Sequence, residues 1–244
     1  MPLPSDSEAR PAPRVLELFG PSSGGKSSLA ARLVAGEGGA ALALAEDRLL
    51  ARLGLGWARG HGLRTLLVHV IAAAGVLVTW REGRSFYRFA AAEALRGAWP
   101  GSCRLRVSLL RNAWKAASLR LLAPRFASPG ETLLMDEGPL QTANYLLVHT
   151  RAAPSPAALE AFLRVVPLPD AAAYVSASEH ELVERTLART HPRVPAGSRE
   201  ASARFVAHAL MVFERIAAEP RVRERLLAPE ALLAAPPATH EACA

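Results

Sequence analysis

The sequence predicts an α/β fold in which helices cover both faces of a mostly parallel β-sheet and a helical insertion interrupts the alternation. Short apolar runs with the composition of β-strands recur along the chain, and helical segments separate them. Residues 49–122 differ, because they are rich in Ala, Leu and Arg and contain few strand signals. Strands that alternate with helices favour parallel pairing in three layers.

The first predicted elements form a strand, a loop and a helix. Residues 14–19 are a predicted strand that ends in a glycine-rich turn, and residues 27–34 are a predicted helix. Residues 40–45 are small and apolar, and they form a possible second strand that Glu46 and Asp47 follow. A glycine-rich turn between a strand and a helix is typical of loops that bind phosphate.

The second half of the chain repeats this alternation with clear helix-start signals. A Ser followed by Pro, and a Ser followed three residues later by Glu, are both typical of helix N-termini. The predicted elements are a strand at 131–136, a helix from Ser155-Pro156, a strand at 171–176, a helix from Ser178 to about residue 190, and a helix at 198–218. No convincing strand follows residue 219.

Composition sets the predicted domain boundaries. The predicted organisation is a disordered tail at 1–13, one domain at 14–218 with a helical insertion at 49–122, and a Pro/Ala-rich tail at 219–244. Within the insertion, residues 65–80 are strongly apolar. They are short for a membrane span, so they predict a buried helix, and a membrane is not expected as a partner.

The charge and cysteine content limit the classes of function. The chain has a formal net charge of +7, from 29 Lys and Arg against 22 Asp and Glu. The arginines are spread along predicted helices and aromatic residues make up only 6%, so nucleic acid is not an expected partner. Cys103 and Cys243 cannot form a disulfide framework. Without a basic and then apolar leader in the sequence, a cytoplasmic location is expected.

The turn after the first strand matches the phosphate-loop pattern G-x-x-x-x-G-K-[ST] completely. Glycines there let backbone N–H groups surround an anion, and the helix N-terminus adds its dipole. Lys26 is expected to reach the β- and γ-phosphates of ATP, and the Ser27 hydroxyl to bind Mg²⁺. A chance match in a Gly/Ser-rich turn is the alternative. The predicted nucleotide-binding residues are Gly20, Pro21, Ser22, Ser23, Gly24, Gly25, Lys26, Ser27 and Ser28.

Lysine is rare in this chain, which strengthens the assignment of Lys26. Only Lys26 and Lys115 are lysines, and arginine supplies the other cationic side chains. A phosphate loop needs a compact ammonium between phosphate oxygens, and a planar guanidinium does not fill that role equally well. The predicted fold is therefore a three-layer αβα P-loop fold.

A carboxylate pair ends the strand at 131–136. In P-loop proteins an acidic residue at the tip of a core strand lies beside the metal of the nucleotide. Asp136 is therefore the second candidate Mg²⁺ ligand, directly or through water. Glu137 is a candidate to polarise a water molecule or to accept a proton from a hydroxyl substrate. An acidic turn before Gly138 and Pro139 is the alternative for both.

Three arginines near the second helix start signal are candidates for contact with phosphate. Arg185 and Arg189 lie four residues apart and share one face of a predicted helix, and Arg193 follows it. Arginines that close over a phosphoryl group stabilise its charge in the transition state. The alternative is a solvated face on which Glu181 and Arg185 form an ordinary i,i+4 pair.

Residues 14–218 resemble the thymidylate-kinase and deoxynucleoside-kinase branch of P-loop proteins, in particular bacterial members with an Asp-Glu-Gly strand tip. The resemblance is carried by residues 20–27, Glu46-Asp47, Asp136-Glu137-Gly138 with Gln141, and residues 174–178 leading to 184–189. It implies that Arg185, Arg189 and Arg193 lie on the lid side and that Glu46 is a carboxylate base. The sequence departs from the usual pattern of these kinases in three ways. Glu137 stands where they usually have Arg, residues 49–122 lack a base-binding pattern, and no final strand is evident.

Two functions follow as hypotheses. The first is an ATP-dependent kinase that transfers the γ-phosphoryl group to a small nucleoside-like, nucleotide-like or other hydroxyl acceptor. The second is an ATP-binding regulatory or assembly module with slow hydrolysis. The absence of an Asn-Lys-x-Asp pattern favours ATP over GTP. A kinase needs polar pocket walls from residues 49–122, whereas a switch needs an exposed face there for a homodimer or protein partner.

Overall fold

A computed structural model describes residues 15–37, 42–58, 60–96, 103–128, 131–149, 153–189, 194–195 and 197–234. The strands in these residues are β1 (Val15–Phe19), β2 (Leu42–Leu44), β3 (Thr132–Met135) and β4 (Ala171–Tyr174). The α-helices are α1 (Lys26–Val34), α2 (Ala45–Arg52), α3 (His61–Val78), α4 (Trp80–Arg96), α5 (Cys103–Phe126), α6 (Pro156–Val165), α7 (Glu179–Ala188), α8 (Arg199–Ala218), α9 (Pro220–Arg223) and α10 (Pro229–Ala234). A π-helix spans Asn144–Val148.

The four strands form one sheet in the order β2-β3-β1-β4, and every pairing is parallel. The predicted α/β fold with a parallel sheet is confirmed. The connection from β1 leads to β2 on one side, whereas the connection from β3 leads to β4 on the other. The neighbouring carboxyl ends of β1 and β3 are therefore a topological switch point, where open α/β sheets bind ligands.

Alternation along β1 assigns its side chains to two helical layers. Leu16 and Leu18 pack with Leu29 and Leu33 of α1 on one face. Phe19 packs on the other face in a cluster that includes Phe213 of α8. Such alternation is expected when both faces of a parallel sheet are covered by helices.

The described part of the predicted insertion consists of helices. Helices α3 and α4 pack on the long helix α5.

Three helices of the second half of the chain begin at a serine that acts as the N-cap. The side chain of each serine accepts a hydrogen bond from the backbone N–H three residues further along, and the three serines are Ser155, Ser178 and Ser198. Local helix-start signals therefore predict these helix ends correctly.

The prediction of a buried helix at residues 65–80 is wrong for one face of α3. Val68, Ala72 and Val76 are buried, but Leu66 and Leu77 are 60% and 78% exposed. The helix is apolar on its covered and uncovered faces, so hydrophobicity alone could not show which face was buried. Among the described residues, no single helix is long and apolar enough to cross a membrane. The helices at 62–78 and 80–96 reach the required length and hydropathy only as a pair, and that pair is bent by 112°.

Ordered structure continues past the predicted domain end at residue 218. Val222 of α9 is buried in the core. The N–H of Ala172 in β4 donates to the carbonyl of Arg225 (2.9 Å), and the N–H of Leu227 donates to the carbonyl of Ala172 (2.8 Å). The sheet thus gains a one-residue parallel bridge beside β4, at Leu226. A strand this short has no hydrophobic pattern. The predicted tail at 1–13, and residues 235–244 of the predicted tail at 219–244, lie outside the described residues.

Candidate nucleotide-binding site

The glycine-rich loop closes tightly over the end of β4. Gly20 has φ +145°, and a Cβ atom there would lie 2.1 Å from the carbonyl oxygen of Val175. A Cβ atom on Gly24 would lie 2.8 Å from the same oxygen. Gly25, with φ +100°, is the N-cap of α1. Side chains at these positions would clash or strain the backbone, so the glycines are explained by the geometry of the loop.

Lys26 lies across the loop. Its Nζ donates to the carbonyl oxygens of Gly20 (2.9 Å) and Pro21 (2.8 Å). Burial lowers the pKa of Lys26 to about 8, although the charges of Asp136 and Glu137 oppose that shift. The positive charge of Arg189 lowers the pKa of Lys26 further. A phosphate in the loop would favour the charged form of this ammonium and add oxygen acceptors for it.

Ser27 and Asp136 meet between the ends of β1 and β3. The Ser27 hydroxyl donates to Asp136 Oδ2 at 3.0 Å. Asp136 Oδ1 is buried and accepts no hydrogen bond from the described residues. No group of three or more His, Cys, Asp or Glu side chains that could hold a metal occurs among those residues. A hydroxyl beside one carboxylate nevertheless suits Mg²⁺, which takes few protein ligands and completes its shell with water and phosphate oxygens.

A buried carboxyl group that sequence reasoning missed joins β1 to the acidic strand tip. Glu17 Oε1 accepts the N–H of Gln141 (2.9 Å), and Gln141 Oε1 accepts the N–H of Gly20 (3.0 Å). A Cβ atom on Gly138 would lie 2.3 Å from Glu17 Cδ, so Glu17 explains the glycine of Asp-Glu-Gly. Burial raises the pKa of Glu17 to about 8. A single Glu inside an otherwise apolar strand was the available signal.

The π-helix after β3 touches both the loop and the strand tip. Asn144 Nδ2 donates to Ser22 Oγ and to His149 Nε2, each at 3.1 Å. The Tyr145 hydroxyl donates to Glu137 Oε1 at 2.8 Å. Short π-helical turns are frequently found at functional sites, and this one aims two consecutive side chains at the site. Sequence reasoning missed Asn144 and Tyr145, and no local pattern marks a π-helix.

A cavity of about 860 Å³ opens beside Ser27 and Asp136. Apolar residues of α1 and β3 line one part of it. Its polar lining comes mainly from the insertion, and it consists of Ser27, Glu46, Thr65, His69, Arg111, Asn112, Lys115, Asp136 and Glu137. Lys115 Nζ lies 2.8 Å from Glu46 Oε1 within this lining. The rarity of lysine, which drew attention to Lys26, could also have identified Lys115.

The structure brings most of the sequence-predicted residues together. Ser27, Asp136 and Glu137 line one cavity with Glu46, which lies in the first turn of α2 directly after β2. Ser28 is exposed on the first turn of α1 and is not among the described residues that line the cavity. The predicted loop residues from Gly20 to Lys26 all lie in the turn between β1 and α1 or at its end.

The three candidate arginines differ in how each one relates to the glycine-rich loop. Arg185 Nη1 donates to the carbonyl oxygen of Ser23 at 3.1 Å, and Nη2 donates to Glu181. Both the loop contact and the i,i+4 pair therefore exist. Arg189 is exposed at the end of α7, near enough for its charge to affect Lys26. Arg193 lies outside the described residues.

The fold and site define an α/β protein with a glycine-rich, lysine-containing loop at the switch point of a parallel sheet. Comparison with protein families, curated proteins and solved structures finds no match to the chain.

Proposed function

We propose that this protein is a cytoplasmic ATP-dependent kinase that transfers the γ-phosphoryl group of Mg-ATP to a small acceptor. One observation carries the proposal: Ser27 and Asp136, 3.0 Å apart, stand between a phosphate-loop sequence and a cavity whose partly apolar wall carries polar and charged side chains. A nucleotide site and an acceptor site must adjoin in a kinase, because the reacting atoms have to meet in line.

The residues around the loop have complementary roles in this proposal. Backbone N–H groups of the loop and the Lys26 ammonium hold the phosphates. Ser27 and Asp136 hold Mg²⁺, directly or through water, and the ion neutralises charge on the phosphates. Arg185, already within hydrogen-bond distance of the loop backbone, and Arg189 stabilise charge on the transferred group.

The cavity suits a small acceptor that has both apolar and polar parts. Its volume of about 860 Å³ suits a nucleoside, a nucleotide or a sugar derivative. Glu46 and Glu137 both line it and are the candidate bases for an acceptor hydroxyl. Arg111 and Lys115 are cations in the same wall, so they can bind an anionic group of the acceptor.

The proposal is tested by ADP release from Mg-ATP with and without a panel of nucleosides, nucleotides and sugars. One acceptor class should increase ADP release by at least about tenfold and become phosphorylated, because a productively bound acceptor supplies the missing nucleophile. Lys26→Ala is the control and should lose ATP binding in calorimetry while keeping its circular dichroism spectrum. Unchanged ATP affinity in Lys26→Ala would refute the assignment of the loop.

A second candidate is an ATP-dependent regulatory or assembly module, and the exposed apolar face of α3 favours it. Such a face suits a protein contact that nucleotide binding could control. This function predicts slow ATP hydrolysis that no small acceptor accelerates and that the protein contact changes. The acceptor panel therefore separates the two functions.

A further inference from the structure

One face of α3 is an uncovered apolar stripe. We name it the α3 stripe, and its members are Leu63, Leu66, Val70, Ala74 and Leu77. The four large side chains are 43%, 60%, 59% and 78% exposed, respectively, and Ala74 is also exposed. No charged side chain belongs to the stripe. Such a continuous apolar face on a helix normally packs against another element.

We propose that the α3 stripe is the contact between two copies of this chain, which pair through antiparallel α3 helices about a two-fold axis at Val70. The stripe is symmetric in sequence about that residue. Leu63 and Leu77 lie seven residues before and after Val70, and Leu66 and Ala74 lie four residues before and after it. In an isologous contact, Val70 therefore meets Val70 of the second copy, while Leu63 meets Leu77 and Leu66 meets Ala74.

The surface beside the stripe has a matching depression. A surface groove of about 250 Å³ lies along the contact between α3 and α5, and Ala72, Ala73, Val76 and Val107 are among the residues of its walls. Val107 is 60% exposed. The small side chains leave room for a leucine of the second copy, as in knobs-into-holes contacts between helices. The α3 and α5 helices of two copies would then form a four-helix arrangement.

The charge content of α3 itself favours a second copy over a membrane surface. A helix that lies on an anionic membrane carries Lys and Arg on its polar face. In α3 the only such residue is Arg64, and it forms an ion pair with Asp47. The five residues of the α3 stripe carry no charge, so the α3–α3 contact itself buries none and avoids a large desolvation penalty. Arg111 and Lys115 also line the groove, where their aliphatic stems can pack on an inserted leucine.

The first test is the molar mass in solution, measured by light scattering at tens of micromolar protein. The parent should be a dimer, and Leu66→Glu should raise the dimer dissociation constant by at least about a hundredfold, because the change occurs twice at the interface. Met211→Glu is the matched control, since Met211 is a 46%-exposed apolar residue on α8, away from the stripe. It should leave the dimer intact.

The second test is disulfide cross-linking in a background with Cys103→Ser and Cys243→Ser. Val70→Cys should cross-link to itself, because a disulfide needs Cα atoms within about 7 Å and Val70 lies on the proposed axis. Leu63→Cys should cross-link only when mixed with Leu77→Cys. A dimer without this pattern would overturn the antiparallel arrangement.

A parent chain that stays monomeric at these concentrations would overturn the proposal outright. Binding of such a monomer to phosphatidylglycerol vesicles, lost in Leu66→Glu, would identify a membrane as the occupant instead. Thermal unfolding of Leu66→Glu should show an intact fold, because the replaced side chain is largely exposed. None of these measurements depends on ATP, so their failure is distinct from failure of the kinase proposal.

Discussion

Asp136 and Glu137 are adjacent in the chain but have different surroundings. Asp136 touches Ser27 and has a buried oxygen without a hydrogen-bond donor among the described residues. Glu137 is exposed, and the Tyr145 hydroxyl orients it. The first environment suits a metal ligand, and the second suits a group that exchanges protons with a substrate or water.

Substitution of the two carboxylates should separate these roles. Asp136→Asn should raise the Mg²⁺ concentration for half-maximal ADP release by about tenfold or more, because a neutral amide is a weaker Mg²⁺ ligand. Glu137→Gln should lower kcat by at least about tenfold and leave the dissociation constant of Mg-ATP nearly unchanged. The measurements are a Mg²⁺ titration of activity and calorimetry with Mg-ATP. Equal losses of nucleotide affinity in the two variants would contradict the division of roles.

Sequence could predict residues whose chemistry follows a local pattern. The loop pattern identified Lys26 and Ser27, and the end of an apolar strand identified Asp136. Glu17 and Lys115 stand out in the sequence as a lone Glu in an apolar strand and as one of two lysines, but their partners come from contacts across the fold, which no local pattern predicts. Asn144 reaches Ser22 because the backbone makes a π-helical turn, a conformation with no reliable sequence signature.

At the scale of elements, α7 connects the end of β4 to the loop. Ser178 caps its first turn, and this start places Arg185 against the carbonyl oxygen of Ser23. The contact is with loop backbone, so Arg185 can support the loop and also reach a bound phosphate. The pair with Glu181 is partly exposed and is worth little by itself.

Removal of the α7 arginines should affect turnover more than stability. Arg185→Ala should lower turnover about a hundredfold with only a modest loss of ATP affinity, because the guanidinium opposes charge that rearranges in the transition state. The unfolding free energy should change by less than about 1 kcal/mol, the usual limit for an exposed ion pair. Arg189→Ala should lower turnover in the same direction. Kinetics with the identified acceptor and urea unfolding measure these effects.

Arg199→Ala is the matched control, since Arg199 forms a similar exposed pair with Glu184 of α7. It should leave turnover unchanged. Arg185→Lys should restore little activity if the guanidinium makes two directed contacts, because an ammonium supplies only a point charge. Parent-like turnover in both Arg185→Ala and Arg189→Ala would show that neither arginine takes part in phosphoryl transfer.

Elements with strong local signals could be predicted, and elements defined by tertiary contact could not. The capped helices α6 and α7 start where their serines indicate. The exposed face of α3 could not be predicted, because its apolar residues surround the helix. The bridge at Leu226 depends on one residue pair with β4, and its position follows from the path of α8 and α9.

At the scale of the whole molecule, Glu17 connects the central strand to both halves of the candidate site. It lies fully buried in β1, its carboxyl group accepts the N–H of Gln141, and Gln141 in turn accepts the N–H of Gly20. The glycine-rich loop and the tip of β3 therefore share one hydrogen-bonded support at the switch point. The fold and the site are stabilised by the same buried group.

Glu17 should make the stability of the protein depend on pH in a defined window. Burial raises its pKa in the folded protein from 4.5 to about 8, so the folded state holds a proton that the unfolded state has lost. The contribution of protonated Glu17 to the free energy of unfolding is fully present below about pH 4.5, falls as the pH rises, and no longer changes above about pH 8. Glu17→Gln replaces the protonated carboxyl group with a neutral amide of similar shape. Its urea midpoint should therefore rise relative to the parent between pH 5 and pH 8, by the linkage of proton binding to unfolding.

The difference between parent and variant isolates Glu17, because Lys26 and the other titrating groups are present in both chains. Glu160→Gln is a suitable control: it removes a half-exposed carboxylate whose partner is Arg215 on the surface, and it should leave the pH dependence of the parent in place. If one N–H of the Gln amide at position 17 lacks an acceptor, the free energy of unfolding is shifted equally at every pH. The quantity to compare is therefore the slope of the unfolding free energy with pH. Parallel pH profiles for the parent and Glu17→Gln would show that Glu17 is ionised in the folded protein. The N–H groups of Gln141 and Leu140 and the charge of Arg120 would then be enough to hold the buried carboxylate.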